Sequence, residues 1–92
     1  MKRFQNRYPV RLKTEKAAKQ ITSWLCFNWG FCDAGQQRPS SDFVGKTPDE
    51  FAEIVLATEG METDPYISGW RKQMGDKIEE LMKRWEEEQP HA

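Results

Sequence analysis

The last third of the chain has the clearest alternation of apolar and polar positions. Its large apolar residues recur at steps of three and four, which is the spacing of one face of an α-helix. The opposite face of that helix is charged. The apolar stripe consists of Ile67, Trp70, Met74, Ile78, Leu81 and Trp85. This pattern predicts a long amphipathic helix over residues 64–88, which must bury its stripe against the rest of the chain.

Local signals bear on the start and the continuity of this helix. Asp64 can cap the first turn through its carboxylate, and Pro65 suits the first helical position because no backbone donor is missed there. Gly69 and Gly75 each weaken the helix by about 1 kcal/mol relative to alanine. Because the stripe keeps its phase across Gly75, one continuous helix is favoured over a break at that residue.

A second helix is announced by the strongest local signal in the chain. Thr47 can cap it, Pro48 fits its first position, and Glu50 can close a capping box onto the Thr47 amide. Gly60 is a suitable stop. These residues predict a helix over 47–59.

An apolar strip earlier in the chain, which includes Ile21 and Leu25, predicts the first helix. Thr14 suits the N-cap position, and Gly30 suits the end of the helix. The helix is therefore expected over residues 14–29. The following segment, 33–46, is rich in Gly, Ser, Gln and Asp and predicts a loop.

The first thirteen residues, MKRFQNRYPVRLK, are basic and have no helical period. Pro9 biases Tyr8 away from the helical region. The segment predicts an extended arm that either packs on its own domain or becomes ordered only when a partner binds. The predicted fold class is mainly α: a small three-helix domain over residues 14–92 with an extended basic N-terminal arm over residues 1–13.

Composition fits one small soluble domain. The chain has 92 residues, of which 32% are charged and 37% hydrophobic. No apolar run approaches the roughly 20 residues that a membrane span needs, and no apolar region of a secretory signal follows the basic start. Since no signal is recognised, Cys26 and Cys32 are expected to be reduced thiols and not a disulfide.

The densest aromatic segment is WLCFNWGFC at residues 24–32. One interpretation is a core corner where the helices meet, because aromatic side chains fill a small core efficiently. The other is an exposed patch that docks a partner. The core is favoured, but so many large side chains cannot all face inward from one helix. Trp29 or Phe31 is therefore the better candidate for an exposed position.

Charge is distributed unevenly along the chain. Residues 1–42 hold eight Lys and Arg against three Asp and Glu, whereas residues 43–92 hold six against twelve. The basic end could bind an anionic surface. Alternatively, the two ends neutralise each other within the fold, or both are simply solvated.

Residues with recognisable catalytic chemistry are scarce. The only histidine is His91, near the end of the chain, and the two cysteines have no further ligands at metal-binding spacing. Gly45-Lys46-Thr47 lacks the upstream glycine of a phosphate-binding loop. No cofactor and no metal are therefore predicted, and an enzyme is the least favoured class.

Three classes of function stay open: an interaction protein that binds a larger host machine, a nucleic-acid-binding protein, and a structural or assembly partner. The arm residues Arg3, Arg7 and Arg11 alternate with aromatic residues in a way that suits phosphate contacts. However, neither of the last two helices has the basic face of a recognition helix. The four Trp and the arginines match residues enriched at protein-interface hot spots, so protein binding is favoured.

The basic start, the WLCFNWGFC segment, the TPDEFAEIV helix and the DPYISGW segment before a charged helix together resemble the anti-RecBCD modulator proteins of lambdoid phages. The resemblance extends over nearly the whole chain. It implies a non-enzymatic phage protein that binds the RecC subunit of the host RecBCD helicase–nuclease at the Chi-recognition region. There it would redirect DNA-end processing toward phage recombination, in the cytoplasm of the infected bacterium.

Two sets of contact residues follow as hypotheses. The charged outer face of the last helix is one candidate surface for the partner, and the residues singled out beside it are Arg3, Arg7, Tyr8, Arg11, Trp29 and Phe31. The resemblance also implies a host peptidyl-prolyl isomerase, bound through a proline that matches Pro65. The remaining prolines are left open for that role. Direct nucleic-acid binding by the arm is the alternative function.

Overall fold

The computed structural model describes residues 6–88, with side chains described as far as residue 85. Its helices are α1 (Glu15–Trp29), α2 (Asp33–Gln37), α3 (Pro48–Thr58) and α4 (Ile67–Glu88), with a 3-10 turn at Ser40–Phe43 between α2 and α3. No strand occurs within this part of the chain. The predicted fold class, a small and mainly helical domain, is therefore confirmed.

The three long helices correspond to the three predicted ones, but the intervening segment does not correspond to a loop. Residues 33–46 contain α2 and the 3-10 turn. Ala34 and Phe43 anchor these short elements, since both side chains are almost fully buried. The loop prediction for this segment is therefore wrong, because two buried side chains outweigh its polar, turn-rich composition.

Caps fix the two ends of α1. The Thr14 hydroxyl oxygen accepts a hydrogen bond from the Ala17 amide at 3.1 Å. At the other end Gly30 adopts a left-handed conformation, with φ of 79°, which reverses the chain over the last turn. The Phe31 amide then donates to the Leu25 carbonyl at 3.2 Å, so a carbonyl at the helix end finds a partner.

The capping box of α3 forms as the sequence predicts. The Glu50 amide donates to the Thr47 hydroxyl at 3.2 Å, and the Thr47 amide donates to the Glu50 carboxylate at 3.0 Å. Pro48 occupies the first helical position. This reciprocal pair of bonds stabilises the helix start against fraying.

α4 begins at Ile67, three residues after the predicted start at residue 64. The Asp64 carboxylate accepts the Tyr66 amide at 2.7 Å within a turn, and the helix follows from Ile67. It continues through Gly75 without a break, which confirms the interpretation drawn from the unbroken stripe. Met74, Ile78 and Leu81 lie fully within the core, so the middle of the stripe carries most of the burial.

The core lies between α4, α3 and the inner face of α1. Phe43 stacks on Phe51 with ring centroids 4.3 Å apart, which ties the 3-10 turn to α3. The arm joins the same core through Leu12, whose amide donates to the Lys46 carbonyl at 2.9 Å and whose carbonyl accepts from Gly45 at 2.8 Å. In the described part of the chain, the arm thus packs on its own domain.

Candidate interaction surfaces

Four side chains from distant parts of the chain form a hydrogen-bonded cluster, here called the polar clamp: Arg7, Tyr8, Asp49 and Asp76. Asp49 lies in the first turn of α3 and is completely buried. Its carboxylate accepts three hydrogen bonds from Arg7: from the backbone amide at 2.7 Å, from Nε at 3.2 Å and from Nη2 at 2.7 Å. A buried carboxylate is tolerated only when it is bonded in this way.

Asp76 of α4 completes the polar clamp from the other side. It accepts hydrogen bonds from the Tyr8 hydroxyl at 2.7 Å and from Nη1 of Arg7 at 2.8 Å. The bond from Tyr8, together with the charge of Arg7, lowers the pKa of the Asp76 carboxyl. The same bond raises the pKa of Tyr8, and the bond to Asp49 raises the pKa of Arg7. Arg7 thereby connects the arm to both α3 and α4.

The polar clamp packs against α4 at Gly75, where the helix has no side chain. A Cβ built at this position would collide with the Asp49 carboxylate and would lie 2.7 Å from Nη2 of Arg7. The Lys72 carbonyl, one turn earlier in α4, accepts a further bond from Nη2 at 3.2 Å. The helix backbone therefore approaches the carboxylate closely, and only a residue without a side chain permits that approach.

The arm residues predicted to bind a partner have different surroundings. Arg7 and Tyr8 are held by Asp49 and Asp76, so part of the charge asymmetry is neutralised within the fold. Arg11 is more open; its guanidinium donates to the Gly45 carbonyl at 2.8 Å, and its side chain is 60% exposed. Arg3 lies outside the described residues.

The aromatic segment packs mainly as a core corner. Trp29 lies 5.3 Å from Trp24, ring centroid to centroid, and 6.1 Å from Trp70, while Phe31 lies 5.1 Å from Trp70. Phe31 is only 9% exposed and Trp29 is half-buried. The expectation that Phe31 lies at the surface is therefore wrong, because Gly30 turns the chain back and places this ring on α4.

Phe27 is the exposed aromatic residue of that segment, with 87% of its surface accessible. It lies at the edge of a surface groove of about 390 Å³, here called the Phe27 groove, between α1 and the short elements that follow it. Lys19 and Ser23 share its α1 wall, and Arg38 and Ser40 contribute the opposite side. The exposure of Phe27 could have been predicted from the helical period, because this residue lies on a different side of α1 from Ile21 and Leu25.

Cys26 and Cys32 line the same groove and are joined in a disulfide, with their Cα atoms 4.3 Å apart. The prediction of two reduced thiols is contradicted. The physical reason is again the reversal at Gly30, which brings the second cysteine back over the last turn of α1. Two cysteines on either side of a helix-ending glycine were the signal for this pairing.

Pro65 lies at the surface immediately before the exposed ring of Tyr66, which is 75% accessible. The Asp64–Pro65 peptide bond is trans, as are the other peptide bonds of the described chain. This segment and the Phe27 groove carry the two most exposed aromatic rings of the described residues.

Other kinds of site were sought in the same part of the chain. The described side chains, which extend to residue 85, include no group of three or more His, Cys, Asp or Glu placed to hold a metal ion. None of the described helices combines the length and the apolar character needed to cross a membrane. The chain matches no protein-family model, no curated protein and no solved structure. The likeness to phage anti-RecBCD proteins therefore stays a hypothesis drawn from the sequence.

Proposed function

We propose that this chain is a phage-encoded, non-enzymatic protein that binds the host RecBCD helicase–nuclease through RecC, at its Chi-recognition region. Binding would redirect DNA-end processing toward phage recombination in the cytoplasm of the infected bacterium. RecBCD is proposed as the partner because the sequence resemblance implies it. The observation that supports a binding protein of this kind is the exposed ring of Phe27 at the edge of a groove with a basic rim.

The Phe27 groove has the properties of a protein-binding site. Aromatic and arginine side chains are enriched at interface hot spots, and the groove has both an exposed ring, that of Phe27, and an arginine, Arg38. Phe27 lies on α1, a capped helix whose other face is held in the core. The ring is therefore presented by a rigid element, which reduces the entropy lost on binding.

A host peptidyl-prolyl isomerase is proposed as a second partner, bound at Pro65. Two observations support this position: the proline is exposed, and the neighbouring Tyr66 ring is open to solvent. An accessible trans Asp–Pro bond is a substrate that such an enzyme can engage.

Nucleic-acid binding by the arm is the alternative, and it has less support. Arg7 is already bonded to two carboxylates, and Tyr8 donates to one of them. A phosphate would have to compete with Asp49 and Asp76 for these donors. Among the described arm residues, Arg11 is the more accessible arginine, and one arginine by itself provides weak phosphate affinity.

A pull-down from bacterial host lysate tests these proposals. Tagged protein is incubated with lysate, with and without nuclease, and the bound proteins are identified by mass spectrometry. Nuclease-resistant recovery of RecB, RecC and RecD is the expected result, and Pro65→Ala should remove the isomerase alone. Recovery that disappears after nuclease treatment would favour the nucleic-acid alternative. Recovery of no RecBCD subunit in either condition would refute the RecBCD proposal.

A further inference from the structure

We propose that the Phe27 groove binds a short, extended acidic segment of the partner protein, with an apolar side chain of that segment packed on the Phe27 ring. This inference rests on the proposed function, since it specifies the chemistry of what a protein partner inserts there. The contact residues predicted from the sequence, as far as the structure describes them, do not line this groove.

The arrangement of side chains sets the shape of the occupant. Lys19, Ser23 and Phe27 follow one another at steps of four along α1 and therefore lie on one face of the helix. The rise from residue 19 to residue 27 is about 12 Å at 1.5 Å per residue. An extended chain of about four residues covers that length. The groove thus fits a short linear segment better than a folded surface.

Charge selects the chemistry of that segment. Lys19 and Arg38 contribute positive charge from opposite walls, and none of the described residues that line the groove is Asp or Glu. Ser23, Ser40 and Gln36 add hydroxyl and amide groups that can bond to carboxylates or to the peptide backbone. The groove is therefore complementary to glutamate or aspartate side chains.

The contacts that position the Arg38 side chain still allow it to bind a carboxylate of a partner. Its Nε donates to the Thr58 hydroxyl, and its Nη1 lies 3.5 Å from the Asp42 carboxylate, where both side chains are about 40% exposed. Exposed ion pairs of this kind contribute only about 0–1 kcal/mol. A carboxylate of the partner can therefore share the guanidinium without a large loss.

A nucleic acid is the competing anionic occupant, and the surroundings disfavour it. A strand would extend beyond the two cations of the groove, and each further phosphate needs its own positive partner. The described outer surfaces of α3 and α4 carry exposed carboxylates, among them Glu53 and Glu80. These repel a long polyanion but leave a short acidic peptide unaffected.

Fluorescence anisotropy with defined probes tests the inference. The probes are a labelled peptide in which glutamate alternates with leucine, the same peptide with glutamine in place of glutamate, and a single-stranded oligothymidylate. The variants are Phe27→Ala and Lys19→Glu. The matched controls are Tyr66→Ala, an exposed ring elsewhere, and Lys16→Glu, one turn before Lys19 and outside the groove. Circular dichroism verifies that each variant folds.

The acidic peptide is expected to bind, and each groove variant should weaken its binding by about tenfold, a loss typical of an interface residue that contributes substantially to affinity. The two control variants should bind it as the wild type does, and the glutamine peptide should bind much more weakly. Absence of peptide binding, equal binding by groove and control variants, or stronger binding of the oligothymidylate would each overturn the inference.

The same variants separate this inference from the proposed function. If the wild type recovers RecBCD and the groove variants recover it equally well, the groove assignment fails while the proposed function stands. If the wild type recovers no RecBCD, the proposed function fails, and the peptide titration still decides whether the groove binds acidic segments.

Discussion

Replacement of Gly75 by alanine sets two known effects against each other. Alanine is favoured over glycine in a helix interior by about 1 kcal/mol, so the substitution should stabilise α4 if nothing else changed. The added methyl group, however, would collide with the buried Asp49 carboxylate. Asp49 must move, and its three hydrogen bonds from Arg7 would be strained or lost.

The structural cost should exceed the gain in helix propensity. A hydrogen bond to a charged group is worth about 1.5–3 kcal/mol, and overpacking a dense region costs about 1–3 kcal/mol. Loss of one bond to Asp49, less the gain of about 1 kcal/mol in helix propensity, therefore leaves Gly75→Ala about 0.5–2 kcal/mol less stable than the wild type. In a domain of this size, that lowers Tm by roughly 2–16 °C.

Gly69 provides the matched control in the same helix. A Cβ there meets no atom within 4 Å, so Gly69→Ala should raise stability by up to about 1 kcal/mol. Urea denaturation followed by tryptophan fluorescence measures both variants. If Gly75→Ala proved as stable as Gly69→Ala, the argument that the polar clamp requires a glycine would be refuted. In an Asp49→Ala background, the Gly75→Ala cost should largely disappear.

Three further predictions follow from the structure. Asp49→Asn should lower the free energy of unfolding by about 1.5–3 kcal/mol, because an amide cannot accept all the bonds of a buried carboxylate; urea denaturation at neutral pH measures this loss. Replacement of both Cys26 and Cys32 by serine should lower the free energy of unfolding by about 2 kcal/mol, because the disulfide closes only a short loop. This prediction would be contradicted if the wild type were equally stable with and without dithiothreitol. Because its pKa is lowered in the folded state, Asp76 contributes stability above about pH 4, and that contribution is lost as the pH falls through the folded pKa. Asp76→Asn should therefore flatten the acid side of the stability profile, and an unchanged slope would count against the pKa argument.

The helix caps and the apolar stripe could be predicted from the sequence, because each depends on residues that are close together in the chain. The capping box of Thr47 and Glu50 depends on residues three apart, and the stop at Gly30 depends on one residue. The unbroken stripe of α4 is equally local, because its period shows directly in the sequence. These elements follow from short-range chemistry, so periodicity and caps suffice to place them.

The polar clamp could not be predicted in this way. Its bonds connect residues that are 42 and 69 positions apart. As a carboxylate in the first turn of α3, Asp49 suits the positive end of the helix dipole, so its position alone implies no distant partner. Nothing in its neighbourhood indicated that it would be buried under Arg7. Long-range pairing of charges depends on how the helices pack, which the sequence pattern does not determine.

The exposed aromatic residue was misplaced for a related reason. The number of large side chains in residues 24–32 predicted correctly that they cannot all be buried. The choice among them depended on the path of the chain after Gly30, which folds back and buries Phe31 against Trp70. Phe27, still inside α1, points away from the core strip. The same reversal brings the two cysteines together.

The polar clamp also has a consequence for synthesis of the protein. During translation Arg7 leaves the ribosome 69 residues before Asp76 does. Because domains generally fold as units, the arm has no α4 to bind while the chain is still being translated. A chaperone or partner that binds the arm during translation therefore does so before Arg7 and Tyr8 can bond to Asp76. Once the chain has left the ribosome and folded, the same binder must compete with α4 for these two side chains.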